Sequence, residues 1–231
     1  MKLGIIGGLG PMATAYFMEL VVGMTDVEMD QEHIESIVLN CPQIPDRTAY
    51  ILGKSEENPL PPIVECGIKL KELGVDIIAI PCITAHYFYD EMVSRIGIPV
   101  INAVKETLNE CIRRQVHKVG ILATDGTIQS YIFQRVFEKE GIEVVIPNFS
   151  YQKKVMNLIY RDVKSGKKPV MDDFYQVADY LRNNGTELIV LGCTELSLIK
   201  REYDVGRDVI DVMEILSKVA IESCGREVKN M

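Results

Sequence analysis

The chain has no Cys-x-x-Cys pair, no apolar run near the roughly 18 residues of a membrane span, and no excess of basic residues. Each absence excludes something. Its six cysteines, at 41, 66, 82, 111, 193 and 224, form no dense disulfide framework and no spaced metal-ligand set, so they read as reduced thiols and no metal is expected. The formal net charge of -8 argues against nucleic acid as a partner, because proteins that bind phosphate backbones carry a basic face. A small anion in a locally basic pocket is compatible with that charge. Leu3-Gly4-Ile5-Ile6 enters a strand almost at once without a basic leader, so a cytoplasmic protein that does not engage membranes is expected.

What is present is alternation. With 47% hydrophobic and 25% charged residues over 231 positions, the chain suits two lobes of about 100 to 120 residues, each able to bury a core. Strand patterns at 2–7, 34–40, 75–80, 98–101, 118–124, 143–146, 187–191 and 208–211 alternate with helical ones at 11–25, 61–73, 87–95, 104–114, 127–139, 153–164, 172–183 and 213–223. An ordered loop is expected at 41–48. Alternation of this kind predicts parallel sheets covered on both faces.

The organising feature is a repeated cysteine. Cys82 follows the apolar run Val75-Asp76-Ile77-Ile78-Ala79-Ile80, Cys193 follows Glu187-Leu188-Ile189-Val190-Leu191, and threonine lies just after each, at 84 and 194. Both therefore belong at the carboxyl end of a strand, where open α/β sheets bind ligands. Three landmarks repeat at offsets of 116, 111 and 109: Gly4 with Gly120, Cys82 with Cys193, and Val100 with Val209. The fold class expected is α/β, with two pseudo-symmetric parallel-sheet lobes facing across a central cleft. One lobe is expected to comprise 1–98 plus 208–231 and carry Cys82; the other, 99–207, carries Cys193. Opposed thiols suit inversion of a stereocentre, since a thiolate can take a proton from one face while a thiol gives one to the other. The other four cysteines read as small buried hydrophobes. His86, four residues after Cys82, reads either as its orienting partner or as a helix cap. Gly8-x-Gly10-x-x-Ala13 fits a dinucleotide turn, but the second strand ends at Asn40-Cys41 without the acidic residue a ribose needs, so the glycines are read as admitting a small carboxylate.

Gly7-Gly8-Leu9-Gly10-Pro11-Met12-Ala13-Thr14, Pro42-Gln43-Ile44-Pro45-Asp46-Arg47-Thr48, Pro81-Cys82 with Thr84-Ala85-His86, Leu122-Ala123-Thr124 with Gly126-Thr127-Ile128, and Gly192-Cys193-Thr194-Glu195 resemble the aspartate/glutamate racemase family over essentially the whole chain. The resemblance implies a homodimer of two-lobed subunits that racemises an acidic amino acid, aspartate first and glutamate second, with Cys82 and Cys193 as the two bases and no pyridoxal phosphate, metal or other cofactor. It further implies that Met12, Gln43, Thr84, Thr127 and Thr194 line the α-carboxylate and ammonium, that Arg47 and Lys164 meet a side-chain carboxylate, and that His86 and Glu195 support the cysteines. Segment 153–168 is expected to close over the site. Relatives of this fold also decarboxylate or isomerise small dicarboxylates, which is the alternative reaction. One position departs from the pattern: the family's motif has asparagine where this chain has Ile83, which points to weakened aspartate chemistry, a different ligand, or an amino-acid-binding role.

Overall fold

The computed structural model describes residues 1–229. β1 (Leu3–Gly7), β2 (Ser36–Asn40) and β3 (Ile77–Ala79) form one sheet in the order β2-β1-β3; β4 (Lys118–Leu122), β5 (Glu143–Val145), β6 (Leu188–Leu191) and β7 (Val209–Asp211) form a second in the order β5-β4-β6-β7. Every pairing within them is parallel. The helices are α1 (Pro11–Met24), α2 (Arg47–Ile51), α3 (Leu60–Glu72), α4 (Tyr89–Ile96), α5 (Ala103–Arg113), α6 (Asp125–Gln129), α7 (Ile132–Phe137), α8 (Phe149–Met156), α9 (Met171–Asn183), α10 (Thr194–Glu202) and α11 (Val212–Ser223). Central strands buried on both sides, such as the fully buried LGIIG of β1, account for continuous apolar runs rather than alternating ones.

The two sheets repeat one plan. Val100 makes a parallel bridge to Ile78, in the place where β7 pairs Val209 with Ile189. The predicted strand at 98–101 is thus reduced to a bridge: Ile78 N–H donates to Pro99 and Ile101 N–H to Ile78, but Pro99 has no N–H to extend the ladder and Asn102 already caps α5. The strand pairing also divides the chain differently from the expected boundaries at 98 and 208. Val100 joins the first sheet, and β7 hydrogen-bonds to β6 in the second, while α11 packs on α1 and α5. One buried cluster runs through both lobes, joining Leu3 and Ile5 to Ile121, Ala123, Val190 and Leu216.

Two glycines permit close approaches that position the site. Gly8 has φ +90°, and a Cβ there would lie 2.4 Å from the carbonyl carbon of Cys41. At Gly126 on α6, a Cβ would lie 2.9 Å from Thr48 Cα on α2, so the lobes touch backbone to backbone at this point. The predicted helix at 127–139 breaks into α6 and α7 at Tyr131, whose φ is +58°. The loop expected at 41–48 gives way early to α2, whose amino end Asp46 caps by accepting from Ala49 N–H at 2.7 Å. Among the described residues no helix is long and apolar enough to cross a membrane.

Candidate active site

Cys82 lies three residues beyond β3 and caps a 3-10 helix, Ile83–Phe88; Cys193 lies two beyond β6 and caps α10. Each therefore ends the strand segment that follows the repeated apolar run, one per sheet. Both line a single small cavity of about 10 Å³, room for one water.

The two sulfurs have opposite surroundings. Arg47, 7% exposed, sits beside Cys82. Burial works against its charge, yet the neighbouring Cys82 sulfur and Asp46 carboxylate hold its pKa above the ordinary value. Its Nη1 donates to the carbonyls of Ile44 and Pro45, and its Nη2 to Leu9 at 2.8 Å. Its Nε is a buried donor without a hydrogen-bond partner. Cys193 instead donates its S–H to Glu195 Oε2 at 2.8 Å, and Thr194 donates to the same oxygen at 3.3 Å. Burial first, then the Glu195 charge, push the Cys193 thiol well above its ordinary pKa.

Lys164 bridges the two walls. Its Nζ is 3.8 Å from Asp46 Oδ2, 3.8 Å from Glu195 Oε1, and 4.2 Å from the centre of the Tyr160 ring. Burial opposes the ammonium, but Glu195 and the other anionic neighbours raise its pKa. Tyr160, pushed up to about 12 mainly by burial, donates to Asp46 Oδ2 at 3.1 Å. It lies in a π-helical stretch, Asn157–Val163, that continues α8; such bulges often re-aim side chains at functional sites.

Thr84 Oγ1 lies 3.0 Å from both Thr124 Oγ1 and Thr127 Oγ1, a hydroxyl cluster spanning the lobes. Thr84, Thr124 and Thr194 line the cavity, and Thr127 stands behind them with no exposed surface. His86 is buried and neutral. Ala103 N–H donates to its Nε2, so Nδ1 carries the proton and donates to the Cys82 carbonyl at 3.1 Å; burial lowers its pKa. It thus holds the backbone of Cys82, and its sulfur is not the partner. Ile83 lines the cavity at 2% exposure and belongs to the buried cluster shared by the lobes. Met12 is 65% exposed and lines an outer cavity instead, and Gln43 is exposed and lines neither.

Tyr160, Asp46, Thr124, Thr48 and Leu9, for which the sequence alone predicts no role, also line the inner cavity. Asp46, Thr48, Thr124 and Leu9 lie inside motifs already singled out. Tyr160 precedes Lys164 by four residues, a helical spacing that places both on one face. Among the described residues no group of three or more His, Cys, Asp or Glu side chains is arranged to hold a metal ion.

Residues 6–220 match the Asp/Glu/Hydantoin racemase family. The chain belongs to that family. It is an isomerase, an amino-acid racemase. It is 26% identical over 227 residues to the broad specificity amino-acid racemase RacX of Bacillus subtilis, covering 96% of this chain and 97% of that one. The solved structure of Picrophilus torridus aspartate racemase superposes with a TM-score of 0.87 at 32% identity, over 99% of this chain and 96% of that one. An aspartate racemase homologue from Pyrococcus horikoshii matches with a TM-score of 0.78 at 25% identity, over 97% and 99%.

The racemase has an antechamber. A second cavity of about 530 Å³ is lined by the glycine-rich turn before α1, Met12, Pro42, Val163 and Leu198. Leu9, Asp46, Arg47, Lys164 and Glu195 line both cavities and form the partition between them. In this racemase four of those five residues, Asp46, Arg47, Lys164 and Glu195, have ionisable side chains.

Proposed function

We propose that this racemase inverts an acidic amino acid, aspartate first and glutamate second, by a two-base mechanism without a cofactor. The observation that carries the reading is the asymmetry of the two sulfurs: a guanidinium beside Cys82, and a carboxylate accepting the proton of Cys193. A neighbouring anion favours the protonated thiol, which makes Cys193 the acid and leaves the base role to Cys82. Cys82 is then the base toward the enantiomer whose α-hydrogen faces it. Cys193 returns a proton to the opposite face. After one turnover the roles are reversed, and the opposite enantiomer is the substrate of that form.

The remaining groups suit an aspartate-like ligand. Arg47 Nε is an unsatisfied donor, and Lys164 holds its two carboxylates only at 3.8 Å, so both cations can turn to a side-chain carboxylate. Charge-assisted bonds of this kind contribute roughly 1.5 to 3 kcal/mol each. The hydroxyls of Thr84 and Thr124, which bond within the threonine cluster, and of Thr194, which bonds to Glu195, can turn to the α-carboxylate and ammonium. Ile83 supports a second reading, in which the ligand presents an apolar surface at that point, because no polar atom of the side chain can pair with it. By the family resemblance we also infer a homodimer, which sedimentation equilibrium checks.

The test is turnover with purified protein, following L- and D-aspartate, L- and D-glutamate and alanine by chiral chromatography. Aspartate is expected to be racemised fastest, with activity lost on thiol alkylation. Arg47→Ala and Lys164→Ala are expected to raise the KM for aspartate and to change alanine kinetics much less. Equal losses on charged and uncharged substrates would overturn the clamp, and turnover confined to uncharged substrates would overturn the acidic assignment.

A further inference from the structure

Two cysteines outside the reaction site face each other. Cys66 on α3 donates its S–H to Cys41 Sγ at 3.2 Å. A disulfide needs about 2.05 Å, so a movement of about 1 Å joins them. We propose that Cys41 and Cys66 are a reversible dithiol–disulfide pair that sets the position of the loop bearing Arg47.

The exchange partner is a low-molecular-weight disulfide. Cys41 is half-buried and the more exposed of the two residues, whereas Cys66 is 7% exposed and burial pushes its thiol up to about 12. The Cys41 thiolate attacks one sulfur of the small disulfide; that S–S bond breaks and one small thiolate leaves. Cys66 then gives up its proton and attacks the Cys41 sulfur of the mixed disulfide, expelling the second small thiolate. Two protein thiols lose two electrons and two protons, and one small disulfide becomes two small thiols.

The pull on Cys41 reaches Arg47 by two routes. The Cys41 carbonyl accepts from Ile44 N–H at 3.2 Å, and the Ile44 carbonyl accepts from Arg47 Nη1. The second route passes through Gly8, whose contact with the Cys41 backbone leaves no slack, to the next residue, Leu9, whose carbonyl accepts from Arg47 Nη2. On the other side α3 packs closely on α4, since a Cβ at Gly67 would lie 2.4 Å from Ile96 Cδ1. Any effect on catalysis rests on the racemase mechanism proposed above; the crosslink and the loop movement do not.

The pair is tested by titrating the full-length protein with oxidised and reduced glutathione, trapping thiols by alkylation, and digesting with trypsin without reduction. Cys41 and Cys66 fall in separate tryptic peptides, 3–47 and 55–69. The expected result is a crosslinked species of these two, lighter by two hydrogens than their sum and reversed by dithiothreitol. Cys66→Ser should instead leave Cys41 as a glutathione mixed disulfide. Hydrogen exchange at 42–49 should differ between reduced and oxidised wild type, and kcat/KM should fall about tenfold or more on oxidation, since displacements near 1 Å cost up to about 100-fold. The same glutathione treatment of Cys66→Ser should lack that component of the loss, which separates it from modification of Cys82 or Cys193. Mixed disulfide on wild-type Cys41 without the crosslink, or separate alkylation of both thiols throughout, would overturn the pair. A crosslink that leaves exchange at 42–49 unchanged would overturn the coupling to Arg47, whatever the activity.

Discussion

Glu195 accepts the Cys193 proton at 2.8 Å while its other oxygen faces Lys164, so one carboxylate fixes the charge state of both. Glu195→Gln keeps an acceptor but removes the charge that raises the thiol. The pH at which Cys193 begins to react with iodoacetamide, read by mass spectrometry, is expected to move down in the variant. An unchanged onset would leave burial as the whole cause. Ile83 makes the opposite kind of test, because an apolar side chain at 2% exposure stands where the resemblance leads one to expect an amide. Ile83→Asn is expected to raise kcat/KM for aspartate about 5- to 150-fold, on a hydrogen bond of roughly 1 to 3 kcal/mol, and to lower Tm, because an amide replaces packed aliphatic surface when the site is empty. No gain in rate would assign the apolar wall to a different ligand.

Helix α11 begins at a buried acid. Asp211 Oδ1 accepts from Met213 N–H at 2.8 Å and from Ser197 on α10 at 2.7 Å, while its Oδ2 has no partner. Burial, with Glu214 adding to it, pushes its pKa from 3.8 up to about 7. A group raised on folding stabilises the native state fully below its unfolded pKa and loses that contribution as pH rises through the folded one. The Asp211 contribution should therefore fall between about pH 4 and pH 7 by at most roughly 4 kcal/mol, about three pKa units at 1.36 kcal/mol each. The difference in urea-unfolding free energy between wild type and Asp211→Asn should shrink over that range; a constant difference would contradict it. On α6, Gly126→Ala should push Thr48 and its neighbour Arg47 aside and raise the KM for substrate severalfold, measurable by initial rates. Alternating strands and helices were legible because buried parallel strands give continuous apolar runs and amphipathic helices give a 3.6-residue period. The shrinking of 98–101 to a bridge, the break at Tyr131 and the π-helical turn before Lys164 were not, because each is decided by backbone geometry and tertiary contact rather than by local pattern.

At the scale of the molecule, the inner cavity of about 10 Å³ is smaller than an amino acid, and movement of Leu9, Asp46, Arg47, Lys164 and Glu195, which it shares with the antechamber, is the expected route of entry. Backbone amides at 157–166 should exchange more slowly with a dicarboxylate ligand bound than without; identical exchange would place the gate elsewhere. The two cysteines were legible because duplication put both after the same strand of each half. Arg47 and Lys164 came from family resemblance, and the structure brings both to the cavity, whereas Gln43 stays exposed and Met12 faces the antechamber. Tyr160 and the Thr84–Thr124–Thr127 cluster depend on how two lobes meet, which no local pattern encodes. The most direct measurement is α-proton exchange in heavy water, with L- and D-aspartate offered separately to wild type, Cys82→Ala and Cys193→Ala. Wild type is predicted to place solvent deuterium in the product of inversion from either enantiomer, and neither variant is predicted to racemise, each retaining exchange with at most one enantiomer and the two variants with opposite ones. Racemisation at the wild-type rate by either variant would contradict the two-thiol account.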